Sequence, residues 1–160
     1  MPSFHVVLVE PEIPPNTGNI GRLCVAAGAR LHLVKPLGFQ LDDKALARAG
    51  LDYWADLDWR IWESLGELQA AARSAAEPGR FHYFTTKAER KYWDATFEPG
   101  DFLVFGRETR GLPESLLAAE ASRCLVIPMA PEARSLNLAT AVGIALYEAM
   151  RQVRSTDART

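Results

Sequence analysis

Apolar residues fall along this chain in two patterns, which together predict strands that alternate with helices. Short continuous runs rich in β-branched and aromatic residues are typical of strands covered on both faces of a sheet. Five such runs are present: Phe4–Glu10, Leu31–Val34, Phe81–Thr85, Phe102–Phe105 and Cys124–Ile127. The tryptophan-rich segment Gly50–Trp62 predicts a turn and another short strand, with tryptophans that act as packing anchors or subunit contacts.

Helices are predicted where apolar residues recur at spacings of three and four. The clearest is Ala139–Arg151, and Leu138 and Val153 extend its apolar face at either end. Three prolines and a glycine predict a loop over Pro11–Asn19. Weaker patterns predict four further helices: Ile20–Ala27, which Gly28 would end, Asp42–Ala49, Ser64–Ala76 and Pro113–Ala119.

The alternation of strands and helices predicts an α/β fold with a mostly parallel sheet and helices on both faces. A chain of 160 residues is long enough to bury the core of one domain. We expect that domain to span residues 1–154. The polar residues 155–160 predict a frayed, disordered tail.

Composition narrows the class of protein. The chain is 48% apolar and 24% charged, and no apolar run approaches the roughly 20 residues of a membrane span. The N-terminus lacks the pattern of a signal peptide. Cys24 and Cys124 have no metal-ligand spacing, and His5, His32 and His82 fall singly in predicted strands. The sequence therefore predicts a cytoplasmic protein without a metal or a disulfide, whose histidines lie in the core or on a sheet face.

Three polar loops each follow a predicted strand: Pro14–Arg22, Phe105–Pro113 and Ile127–Asn137. Because the carboxyl ends of parallel strands share one edge of a sheet, these loops are expected to converge on one crevice. Ser135 and Asn137 also suit the start of the last helix, so a plain helix cap is the simpler interpretation of that loop alone.

The chemistry of the loops favours a ligand-binding site over a nucleophilic one. They contain asparagines, glycines and arginines, but no cysteine and no histidine, so acyl or glycosyl transfer is disfavoured. A Rossmann dinucleotide site is also disfavoured, because Gly18 and Gly21 do not complete its glycine fingerprint. Binding of a nucleotide-like ligand, or transfer of a group already activated by a cofactor, fits better.

Together the three loops carry a family likeness. Asn16–Arg22 (NTGNIGR), Phe105–Pro113 (FGRETRGLP) and Ile127–Leu138 (IPMAPEARSLNL) resemble the three motifs of the SPOUT methyltransferases that act on RNA ribose. The likeness runs from about Val6 to about Arg151, and three ordered motifs are far more specific than one.

The particular branch is suggested by further stretches. Val9–Asn16, Ala49–Tyr53 and Thr85–Lys87 resemble the minimal single-domain enzymes that methylate the tRNA wobble nucleotide, cytidine or uridine 34. The resemblance implies a C-terminal trefoil knot, in which the chain after Ile127 threads an earlier loop. It also implies a homodimer that binds S-adenosylmethionine in the knot and takes the tRNA anticodon loop as its substrate.

The resemblance assigns cofactor contacts by position. The backbone at Phe84, Gly106, Ile127 and Ser135 would hold S-adenosylmethionine. A side chain at Gly106 would meet the adenosine, so glycine is expected to be a steric requirement there. No metal is implied.

The family's catalytic set matches Arg22, Glu108, Ser135 and Asn137. Because an arginine rarely gives up its proton, we expect Arg22 to bind the adjacent phosphate and stabilise developing alkoxide charge, not to act as a base. Ser135 and Asn137 would orient the ribose hydroxyl and the helix start. Glu108 would fix Arg22 or the loop geometry.

Substrate contacts follow from charge. The net charge of −2 weighs against a general nucleic-acid coat, but two protomers could gather arginines around one crevice, with Lys87–Lys91 on the approach. The expected substrate-binding residues are Asn16, Arg22, Arg107, Arg110 and Arg134. Arg107 lies where the resemblance gives no expectation of charge.

Three other functions stay open on the sequence. The same fold could methylate another tRNA or rRNA site. A catalytically silent RNA-binding protein could keep the fold, and cofactor binding would separate it from an enzyme. A small-molecule nucleotide-binding α/β enzyme would ignore RNA.

Overall fold

The computed structural model describes residues 4–40 and 52–157, and within these ranges six strands form one parallel sheet. Every pairing between neighbouring strands is parallel, in the order β3-β2-β1-β5-β4-β6. The predicted α/β fold with a mostly parallel sheet is therefore confirmed. The strands are β1 His5–Val9, β2 Arg30–Val34, β3 Trp59–Trp62, β4 Phe81–Phe84, β5 Phe102–Phe105 and β6 Cys124–Leu125.

Helices cover both faces of the sheet. They are α1 Pro14–Ala27, α2 Leu65–Arg73, α3 Glu114–Ala119 and α4 Leu138–Asp157. The apolar residues of α1 and α4 pack in one core cluster, whereas α2 and α3 contribute to the other. In the described ranges no helix has the length and hydropathy needed to cross a bilayer. The predicted helix Asp42–Ala49 lies outside the described residues.

Successive residues of each strand point to opposite faces of the sheet, so the strands contribute to a core on both faces. In β1, Val6 and Leu8 pack towards α1 and α4, while Val7 and Val9 pack towards α2. Within α4, four residues at helical spacing are fully buried, as its apolar pattern predicts. They are Val142, Ala145, Leu146 and Ala149.

Helix α1 begins six residues earlier than the sequence predicts. Its first residue is Pro14, not Ile20, so the predicted loop Pro11–Asn19 is wrong over its last six residues. Proline is compatible with the first turn of a helix, because the amide that it lacks would have no partner inside the helix. The predicted end is confirmed, since Gly28 adopts the left-handed conformation at φ 69°.

Other boundaries also differ. Strand β6 is two residues shorter than predicted: Val126 keeps a single bridge to Lys91, and Pro128 cannot continue the pairing. Helix α2 ends at Arg73 instead of Ala76. Helix α4 continues to Asp157, three residues into the predicted tail.

The three histidines lie in strands, as predicted, and two of them, His5 and His32, form a polar chain with Trp62. The Trp62 indole donates to His32 Nδ1 at 2.9 Å, so the neutral His32 ring carries its hydrogen on Nε2 and donates to His5 Nδ1 at 2.8 Å. Burial, chiefly, lowers the pKa of His5 to about 4 and that of His32 to about 3. Trp62 is therefore an anchor of the core, as predicted for this segment.

Candidate active site at the carboxyl edge of the sheet

The three predicted loops meet at the carboxyl edge of the sheet, and Glu108 is the residue that joins two of them. Its Oε1 accepts from the Glu12 amide at 2.9 Å, and its Oε2 accepts from the Ile13 amide at 2.8 Å. The same Oε2 accepts from Asn16 Nδ2 at 3.3 Å. Ile13 has no side-chain cap of its own, so Glu108 supplies the negative charge that suits the start of α1.

Asn137 joins the third loop to this network. Its Nδ2 donates to Asn16 Oδ1 at 3.0 Å, and its Oδ1 accepts from the Thr140 amide at 3.1 Å in the first turn of α4. A continuous chain of hydrogen bonds therefore runs from Glu108 through Asn16 and Asn137 to the start of α4. Asn137 orients the helix start, as predicted, and its contact with a ribose hydroxyl stays a prediction.

Two further contacts, which the sequence did not reveal, fix the same two loops. Arg107 Nη2 donates to Glu10 Oε1 at 2.6 Å, and this bond raises the pKa of the arginine. Glu12 Oε1 accepts from the Thr109 hydroxyl at 2.8 Å and from its amide at 3.1 Å, which lowers the pKa of Glu12. Glu10 is also held at φ 55°, a conformation that non-glycine residues seldom adopt. Glu10 and Glu12, two acidic residues that closely follow β1, were the sequence feature that could have indicated these contacts.

Gly106 has a steric role within its own loop, and the predicted clash of a side chain there with the adenosine stays a prediction. The Arg107 amide donates to the Gly111 carbonyl at 3.2 Å, and the Gly111 amide donates back at 2.8 Å, which closes a tight turn. A Cβ at position 106 would meet the backbone of Gly111 and Leu112. The requirement for glycine therefore follows from the loop itself, before any ligand is considered.

A cavity of about 450 Å³ lies between the loops, within the usual range for a small-molecule site of roughly 300–1,000 Å³. All four predicted cofactor residues line it: Phe84, Gly106, Ile127 and Ser135. Its apolar wall includes Phe105, Leu136, Leu138 and Ala141, and its polar rim includes Glu108, Arg107, Arg110 and Arg134.

Not every predicted site residue reaches this cavity. Glu108 and Ser135 line it, whereas Asn137 lines a neighbouring groove between α1 and α4. Arg22 is exposed on α1, does not line the cavity, and makes no hydrogen bond or ion pair with any residue that the structure describes. The single chain therefore brings the four predicted cofactor residues together around one cavity, but leaves the predicted catalytic residue Arg22 outside it. Across the described ranges, no three His, Cys, Asp or Glu side chains are grouped to hold a metal.

The family is established by comparison. The model of the SpoU rRNA methylase family matches residues 3–147, nearly the whole chain. This chain belongs to that family. The resemblance predicted from the three loops is therefore confirmed.

Relatives of this SpoU family member match it over more than nine tenths of its length. The tRNA (cytidine(34)-2'-O)-methyltransferase of Burkholderia pseudomallei (strain 1106a) is 51% identical over 150 residues, covering 93% of this chain and 95% of that protein. The enzyme of the same name from Saccharophagus degradans is 47% identical over 151 residues, covering 94% of this chain and 96% of that protein.

Solved structures of related proteins have the same fold as this chain. One, which concerns the 2-OH methylation of C/U34 on tRNA, has a TM-score of 0.87 at 46% identity, covering 95% of this chain and 97% of that one. The SpoU methyltransferase AviRb from Streptomyces viridochromogenes, in complex with AdoMet, has a TM-score of 0.82 at 30% identity. That match covers 95% of this chain and 58% of AviRb.

Proposed function

We propose that this SpoU family member is a methyltransferase that uses S-adenosylmethionine to methylate the ribose 2′-hydroxyl of the tRNA wobble nucleotide, cytidine or uridine 34. The observation that carries the proposal is the cavity at the carboxyl edge, which all four predicted cofactor residues line. The choice of nucleotide is supported by the full-length relatives that are named for methylation of cytidine 34.

The cavity suits S-adenosylmethionine. Its apolar side chains offer a surface for a flat adenine ring, and Gly106 adds a residue without a side chain to the lining. The residues that would hold the ligand through their backbone groups are Phe84, Gly106, Ile127 and Ser135. When bound there, S-adenosylmethionine supplies a methyl group that is activated by its sulfonium charge.

The protein's own residues bind and orient the ribose hydroxyl, whose oxygen bonds to the methyl carbon as the carbon–sulfur bond breaks and whose proton passes to solvent water. The Ser135 hydroxyl lines the cavity and has no hydrogen-bond partner in the described part of the chain, so it can orient the 2′-hydroxyl. Arg22 keeps its proton, binds the adjacent phosphate and stabilises the developing alkoxide. Glu108 and Asn137 position the loops through the network that joins them.

The proposed active form is a cytoplasmic homodimer. Arg22 lies outside the cavity of its own chain and is free to reach another, so a second copy would supply the missing arginine. Arg107, Arg110 and Arg134 line the same cavity and would meet the RNA backbone there. The predicted substrate contact of Asn16 is not supported in the single chain, because Asn16 is buried and its amide group is bonded to Glu108 and Asn137. The proposed fold carries a C-terminal trefoil knot, with the chain after Ile127 threaded through an earlier loop.

Methyl transfer from labelled S-adenosylmethionine to unmodified tRNA, followed by nucleoside mass spectrometry, tests the function. We expect 2′-O-methylcytidine or 2′-O-methyluridine, and we expect the product to disappear with Asn137→Ala. Transfer to ribosomal RNA but not to tRNA would favour the alternative of another RNA site. Absence of S-adenosylmethionine binding would contradict the proposal altogether.

A further inference from the structure

A second cavity, of about 300 Å³, lies beside strands β4 and β6, away from the three predicted loops. Three arginines from separate chain segments line it: Arg80 directly before β4, Arg90 after β4, and Arg123 directly before β6. Ser122 and Thr96 add hydroxyl groups to its lining. Three guanidinium groups around one small cavity form a concentration of positive charge that the methyl-transfer chemistry does not use.

The walls of this arginine cavity are held in place. Arg80 Nη2 donates to the Thr96 carbonyl at 3.2 Å, and Arg90 Nη2 donates to the Asp94 carbonyl at 3.2 Å. The Arg90 carbonyl accepts from the Val126 amide at 2.8 Å, which fixes the segment to the end of β6. Because a guanidinium has five N–H donors, each arginine keeps free donors after these bonds.

The positive charge is only partly balanced. Glu98 and Asp101 lie 3.7 and 3.8 Å from Arg80 Nη2, and Asp101 is already bonded to His82. Among the described residues, no carboxylate lies within 4 Å of the Arg90 or Arg123 guanidinium. The buried Nε of Arg80 has no acceptor among the residues that the structure describes. Arg90 and Arg123, which have no described carboxylate close enough to balance their charge, indicate that an anion completes the site.

We propose that this arginine cavity binds a backbone phosphate of the RNA substrate, at a point remote from the methylated nucleotide. Arginine is the side chain best suited to phosphate, because its planar fork can bind two oxygens at once. Phosphate contacts position a nucleic acid without reading its sequence. The inference rests on the proposed tRNA substrate, and it adds a contact that sets affinity and orientation but takes no part in catalysis.

The test measures tRNA affinity as a function of salt for Arg123→Gln and Arg90→Gln. Arg73→Gln is the matched control, because it removes the same charge from an exposed position on α2, on the opposite face of the sheet. Each cavity variant should bind tRNA about tenfold more weakly. The slope of log affinity against log salt should fall by about 0.7 to 0.9 for each lost phosphate contact. The KM for tRNA should rise while kcat and S-adenosylmethionine affinity stay unchanged.

The outcomes separate this inference from the proposed function. If the parent protein methylates tRNA and the cavity variants keep its affinity and salt slope, only the arginine cavity inference fails. If the parent neither binds nor methylates tRNA, both fail. Calorimetry with inorganic phosphate covers the remaining source of the anion: arginine-dependent phosphate binding combined with unchanged tRNA affinity would assign the cavity to a free anion and overturn its role with RNA.

Discussion

Two carboxylates flank strand β5 and make the same set of contacts at opposite edges of the sheet. Asp101 directly precedes the strand: its Oδ1 accepts from the Arg80 amide, and its Oδ2 accepts from the Glu98 amide and from His82 Nε2. Glu108 follows the strand. Its Oε1 accepts a hydrogen bond from one backbone amide, and its Oε2 accepts hydrogen bonds from one amide and one side-chain nitrogen. Each carboxylate therefore joins the chain beside β5 to the chain beside a neighbouring strand, which is β4 for Asp101 and β1 for Glu108.

Their surroundings differ. Asp101 is 2% exposed and its partners lie within 21 residues of it along the chain, whereas Glu108 is half-buried on a cavity rim and its partners lie 92 to 96 residues away. Burial alone would raise the pKa of Asp101, but hydrogen bonds from His82 and two amides hold it below its usual value. We infer that the Asp101 network maintains the fold, while the Glu108 network positions a functional site.

The largest expected effect comes from closing the space that the Glu108 loop needs. In Gly106→Ala the new methyl group meets the backbone of Gly111 and Leu112, so the turn must open and Glu108 must move. S-adenosylmethionine should bind about 100-fold more weakly, measured by calorimetry. Gly111→Ala is the control: its Cβ would face open space, and only its φ of 67° is strained, so a loss of about fivefold is expected. Equal losses would contradict the steric account of Gly106.

Asp101→Asn should give the next largest effect, on stability. The substitution replaces one carboxylate oxygen with an NH₂ group. The buried donors that were bonded to that oxygen lose their acceptor and face another donor instead. The free energy of unfolding in urea should fall by about 3 kcal/mol. Glu98→Gln, an exposed change beside the same arginine, should cost less than about 0.5 kcal/mol. A cost below about 1 kcal/mol for Asp101→Asn would show that this carboxylate does not hold the fold.

A separate effect should appear as a pH dependence at the Asp101 edge, where the His5 amide donates to the Asp101 carbonyl. Because burial lowers the pKa of His5 to about 4 and that of His32 to about 3, the unfolded chain binds more protons than the folded one below pH 6.5. Stability should therefore decline as pH falls from about 6.5 towards 4, and Asp101 should add to the loss below that. Urea unfolding at several pH values tests this. His5→Phe should flatten the decline, and an unchanged slope would contradict the assignment.

The smallest effect is expected for Arg107→Gln, on the polar rim of the cavity between the loops. Because Glu10 already neutralises Arg107, losing the arginine mainly exposes an unpaired carboxylate near the proposed RNA path. The KM for tRNA should rise about threefold or less with kcat unchanged. The double variant Glu10→Gln/Arg107→Gln should return KM towards the parent value. A large loss of kcat in the single variant would instead place Arg107 in catalysis.

Sequence patterns predicted the strands because apolar runs are local signals, and they predicted the convergence of the loops because strands that alternate with helices form parallel sheets. They missed the start of α1 because the group that caps it, Glu108, lies 95 residues beyond Ile13. They also gave Glu108 two possible partners, Arg22 or the loops, and the structure shows the loops.

Asp101 carried no signal at all. A lone aspartate before a strand resembles any surface charge, and only the fold brings His82 and the Arg80 amide to it. Likewise, the motif resemblance marked Gly106, but the backbone that excludes a side chain there is visible only once the turn has formed.

The most direct test of the contrast is methyl-transfer activity per folded molecule for Glu108→Gln and Asp101→Asn, at a temperature where circular dichroism shows both to be folded. The account predicts that Glu108→Gln lowers kcat/KM for tRNA about 100-fold, because misplaced loops no longer align the reacting groups. Asp101→Asn should keep activity within about twofold of the parent, despite its larger loss of stability. Equal losses of activity, or a fully active Glu108→Gln, would contradict the division between a carboxylate that maintains the fold and one that positions the site.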